Sequence, residues 1–121
     1  MAGTVTTTEE TFDSVKKITF DWLSSSGGAA DATTTKIYTG MVERVVTIPD
    51  SGGTAPATVY TLTLKDDDGV DILDGYGASR SITATEMLNP GGFGAIAHTT
   101  LTLGITTAGD SKGGIVYVYL R

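Results

Sequence analysis

Hydrophobic and polar residues alternate with period two over much of this chain. Ile18, Phe20 and Trp22 interleave with Thr19 and Asp21 between Val15 and Leu23, the pattern of a strand with one buried face. Thr58 to Lys65 repeats it with Tyr60, Leu62 and Leu64, and Thr99 to Thr107 with Leu101, Leu103 and Ile105. Those side chains are the expected core. Ile115 to Leu120 is apolar on both faces: Val116, Val118 and Leu120 on one, Ile115, Tyr117 and Tyr119 on the other. Such a strand is central or lies at an interface. Lys36 to Ile48 is extended but irregular. Val42, Val46 and Ile48 share one face and Ile37, Met41 and Val45 the other, with Gly40 a candidate bulge where the faces switch.

Turn residues punctuate these runs. Ser24 to Thr34 is a polar loop, and Pro49 ends the irregular strand before a loop reaching Pro56. Asp66 to Gly69 is a tight turn, Val70 to Leu73 a short strand, and Asp74 to Gly77 a second turn. Ser79 to Leu88 offers a further strand on Ile82, Ala84 and Met87, followed by the loop Asn89-Pro90-Gly91-Gly92. Gly109 to Gly114 turns the chain into its last strand. No stretch carries a helical period of 3.6. Residues 1–13 are polar and threonine-rich and read as a flexible or extended arm outside the core. The pattern predicts an all-β protein: a single β-sandwich or jelly-roll-like domain over 14–121 with a short N-terminal arm at 1–13.

Composition narrows the functional classes. The chain has 121 residues, 40% hydrophobic and 18% charged, enough apolar content for one packed domain. A formal net charge of −6 repels phosphate backbones, and the largest cationic cluster is Lys16-Lys17, so nucleic acid is not an expected partner. Cysteine is absent, which excludes disulfides and thiolate-bound metal, and the single histidine, His98, excludes a His-rich site. Met1 to Thr11 lacks the basic and apolar regions of a signal peptide. No apolar run approaches the ~20 residues of a membrane span, so no membrane partner is expected.

Five aspartates, Asp66, Asp67, Asp68, Asp71 and Asp74, cluster in the sequence. Clustered carboxylates suit calcium, but D-x-[DN]-x-[DN]-G is not met and no Glu closes the loop. An Asp-Gly hairpin turn explains them better. His98 precedes a strand with no nucleophile elbow in the sequence and reads as a surface or strand-edge residue. Gly91-Gly92-Phe93-Gly94 lacks the phosphate-loop pattern and reads as a loop. Glu43 and Glu86, with the aspartates, are the carboxylates a glycosidase pair would draw on, but nothing in the spacing selects a pair. Trp22 belongs with Phe20 in the core, whereas Tyr117 and Tyr119 suit core and interface equally. No catalytic, cofactor-binding or metal-ligating residue is therefore assigned, no cofactor is expected, and an enzyme is not the expected class.

Four segments carry a resemblance: VKKITFDW, KIYTGMVERVVTIP, YTLTLKDDDGVDILDGYGASRS and TLTLGITTAGDSKGGIVYVYLR. Together they cover roughly Val15 to Arg121. They resemble a family of small structural proteins of tailed-bacteriophage virions, of the capsid cement or decoration type. The matched features are Leu64 to Gly77, a strand with an Asp-rich turn, and Leu101 to Arg121, a strand, an Ala-Gly-Asp turn and a Tyr-rich strand. The resemblance implies a jelly-roll-like domain in a virion, a homo-oligomer, with the major capsid protein or other virion proteins as partners. Tail, head–tail junction and head-fibre positions, with a receptor- or carbohydrate-binding role, are the alternative. No functional residue carries over, because the matched motifs are turns and strands.

Overall fold

The computed structural model describes residues 3–88 and 92–121. Its strands are β1 (Thr4–Phe12), β2 (Val15–Leu23), β3 (Ala30–Thr33), β4 (Tyr38–Pro49), β5 (Thr61–Lys65), β6 (Glu86–Leu88), β7 (Gly94–Thr99), β8 (Thr102–Thr106) and β9 (Gly113–Leu120). They build two antiparallel sheets. The larger has the order β1-β2-β9-β4-β6, with β7 also on β4; the smaller has the order β3-β8-β5. The sheets pack face to face as a β-sandwich, the expected all-β class.

The core lies between the sheets and follows the period-two pattern. Ile18, Phe20, Trp22, Tyr60, Leu62, Leu64, Leu101, Leu103 and Ile105 are all buried. Val116, Val118 and Leu120 complete the inner face of β9, which is central between β2 and β4. Trp22 and Tyr60 pack against each other across the sheets, ring centroids 5.1 Å apart and planes tilted by 57°.

The irregular strand resolves into two breaks in register. One falls between Tyr38 and Gly40 in the pairing with β7, and the other between Val42 and Arg44 in the pairing with β9. Gly40 has φ +142°, and a Cβ there would clash with the Arg121 carbonyl oxygen, so the close approach of Arg121 requires glycine. The second break inserts one extra residue at Glu43. Val42 and Val45 both reach the core, three positions apart, which is why the apolar pattern there is muddled.

Several expectations need correction. Residues 4–12 are not a loose arm: they form β1, paired with β2 from Thr4↔Leu23 to Phe12↔Val15. The strand forms on backbone pairing and threonine's β preference, and Val5 alone among its apolar residues packs against the core. Within the polar loop, Ala30–Thr33 is β3, pairing with β8. Val70 to Leu73 is not a strand; its backbone pairing with β5 is a single isolated bridge, Lys65↔Asp71. Of Ser79 to Leu88, only Glu86–Leu88 is a strand, and Leu88 rather than Met87 is buried. Residues 94–99 form β7, so the chain crosses from the larger sheet to the smaller at Thr100-Leu101. Of the expected loop at 89–92, Asn89 to Gly91 lie outside the described residues, as do Met1 and Ala2 of the expected arm.

Candidate functional site on the outer sheet face

Side chains opposite the core on β2, β9 and β4 form an ordered surface. Register places Lys17, Tyr119 and Arg44 in one row across the three strands, with Glu10 of β1 next to Lys17. The next row holds Thr19, Tyr117, Val46 and Met87 of β6, and the third holds Asp21, Ile115 and Ile48. Strand alternation puts these residues on one face, and the pairing of β2, β9 and β4 sets them side by side.

Two cations sit over the tyrosines. The Lys17 ammonium lies 4.3 Å from the Tyr117 ring centroid and 5.9 Å from that of Tyr119, and the Arg44 guanidinium lies 5.4 Å from Tyr119. The tyrosine rings are 6.3 Å apart and tilted by 44°. Each cation–π contact at a surface contributes about 0.5–1 kcal/mol, and together they hold the rings and the charged heads in one arrangement. Val15, Glu43, Arg44, Tyr119, Leu120 and Arg121 line a shallow open pocket at the end of this face. Charges on the face are mixed, with Glu10, Asp21 and Glu43 beside Lys17, Arg44 and Arg121, while Met87 is 45% exposed.

The acidic run does not converge on a point. Asp66 Oδ1 accepts the Asp68 and Val70 amides, and Asp71 accepts those of Leu64, Leu73 and Gly75. Asp67 Oδ1 accepts the Thr100 amide and hydroxyl, and the Asp67 amide donates to Thr99 Oγ1. These carboxylates tie a turn to itself and to the crossing between sheets. Among the described residues no group of three or more His, Cys, Asp or Glu is placed to hold a metal ion.

The remaining sequence candidates are dispersed. His98 is exposed near the end of β7, with φ +49° and its amide donating to Thr39 Oγ1. Glu86 accepts the Ser81 amide and pairs with Arg80 at 3.6 Å. Its cross-strand partner is Thr47, so Glu43 stands four residues along β4, about 13 Å away by strand rise.

One polar group escaped the sequence reading. Glu9 of β1 accepts the Thr35 amide and hydroxyl, the Lys36 amide and the Tyr38 hydroxyl. Burial acts to raise its pKa, but these hydrogen bonds outweigh it and hold the carboxyl below its usual value. No local signal marks Glu9, because its partners lie 26–29 residues away.

Fold and surface together define a β-sandwich with a tyrosine- and arginine-bearing sheet face. Comparison with protein-family models, with curated proteins and with solved structures finds no match.

Proposed function

We propose that this protein is a structural component of a bacteriophage virion, a capsid cement or decoration subunit that binds and stabilises the head shell. One observation carries the reading: the outer face of the larger sheet presents Tyr117 and Tyr119 beneath Lys17 and Arg44, bordered by Ile48, Ile115 and Met87. Tyrosine, methionine and arginine are the residues enriched where protein surfaces meet, and lysine at the rim supplies solubility. The segment resemblance across Val15 to Arg121 and the net charge of −6, suited to a basic protein surface, support the same role.

The alternative, a receptor- or carbohydrate-binding module of a tail, junction or head fibre, needs an open aromatic face for a sugar ring. Lys17 over the Tyr117 ring disfavours it. The test is purification of intact particles with copy number measured for the wild type and for Tyr117→Ala and Arg44→Ala. The wild type is expected at high, regular copy number, and the folded variants at reduced occupancy. Absence of the wild-type protein from particles sinks the proposal, and retention of both variants at full occupancy sinks the assignment of this face.

A further inference from the structure

The edges of the two sheets are unequal. β3, β5 and β6 span 4, 5 and 3 residues, and bridges from Arg80 and Asp71 flank β5. β1 spans 9 residues, and its ladder to β2 runs without a register shift. It contains no proline, and the first residue with positive φ is Asp13, beyond its end. Natural sheet edges are usually blunted by proline, bulges or inward charge; β1 has neither proline nor bulge, and its one inward charge, Glu9, is engaged by the Thr35, Lys36 and Tyr38 donors. Here the one group other than β2 that hydrogen-bonds to the β1 backbone, among the described residues, is the Lys36 ammonium on the Glu9 carbonyl at 3.5 Å.

We propose that β1 pairs antiparallel with β1 of a second copy of this chain, centred on Thr8, joining the two larger sheets into one. The two-residue connection Asp13-Ser14 makes Phe12 and Val15 the hydrogen-bonded closing pair of the hairpin. Alternation along the ladder then turns the amides and carbonyls of Val5, Thr7, Glu9 and Thr11 to the open edge. A two-fold axis at Thr8 sets Thr7 opposite Glu9 and Val5 opposite Thr11, matching donors to acceptors along the strand once the Lys36 ammonium gives up the Glu9 carbonyl. It also keeps every inward residue opposite an inward one.

Complementarity of side chains selects this partner and this register. Glu9 and Glu10 face Thr7 and Thr6, so no like charges oppose each other. Phe12, 55% exposed, and Leu23, 42% exposed, lie at opposite ends of the β1–β2 ribbon on its outer side. In the paired arrangement Phe12 of each copy stands opposite Thr4 of the other, next to Leu23, so both exposed apolar side chains gain cover at each end. A single strand pair is smaller than a standard interface, so the dimer is weak at low concentration. The inference rests on the strand geometry and is independent of the virion role.

The test uses the full chain, which has no cysteine, so one substitution supplies one thiol. Thr8→Cys places two thiols opposite each other in a non-hydrogen-bonded pair, within the Cα separation a disulfide accepts. Thr6→Cys, equally on the exposed outer side, stands about 13 Å from its symmetry mate in this register. Mild oxidation is expected to yield covalent dimer from Thr8→Cys roughly ten-fold or more faster than from Thr6→Cys. Thr8→Lys is expected to abolish the dimer seen by sedimentation of concentrated protein while leaving the melting temperature unchanged. Equal cross-linking of both thiols, faster cross-linking of Thr6→Cys, a wild type that stays monomeric, or growth past the dimer overturns the proposal.

Discussion

Single side chains contribute unequally to this fold because burial is unequal. Leu62 is 1% exposed, packed between the two sheets, so Leu62→Ala is expected to cost about 2–5 kcal/mol, read as a shifted denaturation midpoint. A loss under about 1 kcal/mol would mean that the core relaxes around the cavity. Tyr60 is buried against Trp22, and burial pushes its hydroxyl up to about 12 from an ordinary 10.0. Glu86 adds to the shift, while Arg80 and Thr47, the latter near the hydroxyl but outside hydrogen-bonding geometry, oppose it. The raised folded value means that Tyr60 contributes stability fully present below pH 10 and lost as pH rises towards about 12. Denaturation midpoints between those values should fall more for the wild type than for Tyr60→Phe; equal slopes would remove Tyr60 as the cause.

At the scale of elements, two polar anchors hold segments that apolar packing does not. The first is Glu9, which joins β1 to the turn before β4. Its pKa lies below the ordinary 4.5, so its contribution is present above pH 4.5 and is lost as pH falls through the folded value. Because Glu9 is only partly buried, the contribution is about 1 kcal/mol after screening. Glu9→Gln should lower the wild-type melting temperature at pH 6 and flatten its decline between pH 4.5 and 3, whereas parallel declines would refute the anchor. The second anchor is the acidic turn after β5. Asp71→Ala strips an acceptor from the Leu64 amide and should cost about 1–2 kcal/mol. Calcium and chelator should give the same melting temperature, because the carboxylates of Asp66, Asp67 and Asp71 already face donors. A large calcium-dependent rise would show that the turn rearranges around the ion.

On the whole-molecule scale, β1 is an integral edge of the larger sheet rather than an appendage. Deleting residues 1–13 uncovers the β2 backbone and removes Val5 and Glu9 from their contacts. The truncated protein should melt several degrees lower and expose more apolar surface to a fluorescent dye; an unchanged melt would return these residues to the status of an arm. Both sheets share one core, so the melt itself should be a single transition.

What the amino-acid order determined by itself is the set of strands that bury one face. Alternation at Ile18/Phe20/Trp22, Tyr60/Leu62/Leu64 and Leu101/Leu103/Ile105 names its own core, because strand geometry repeats every two residues and needs no partner to be legible. The turns at Asp66–Gly69 and after Thr107 were visible for the same local reason. Strands with little burial were not: β1 and β3 exist through ladders to β2 and β8, and polar residues carry no periodic signal of that pairing. The bulge at Glu43 hid the true faces of β4, since one inserted residue reverses the parity of everything after it. The anchor at Glu9 and the row Lys17–Tyr119–Arg44 depend on residues far apart in the chain, and only the sheet order β2-β9-β4 and the turn beneath β1 brought them within reach of one another.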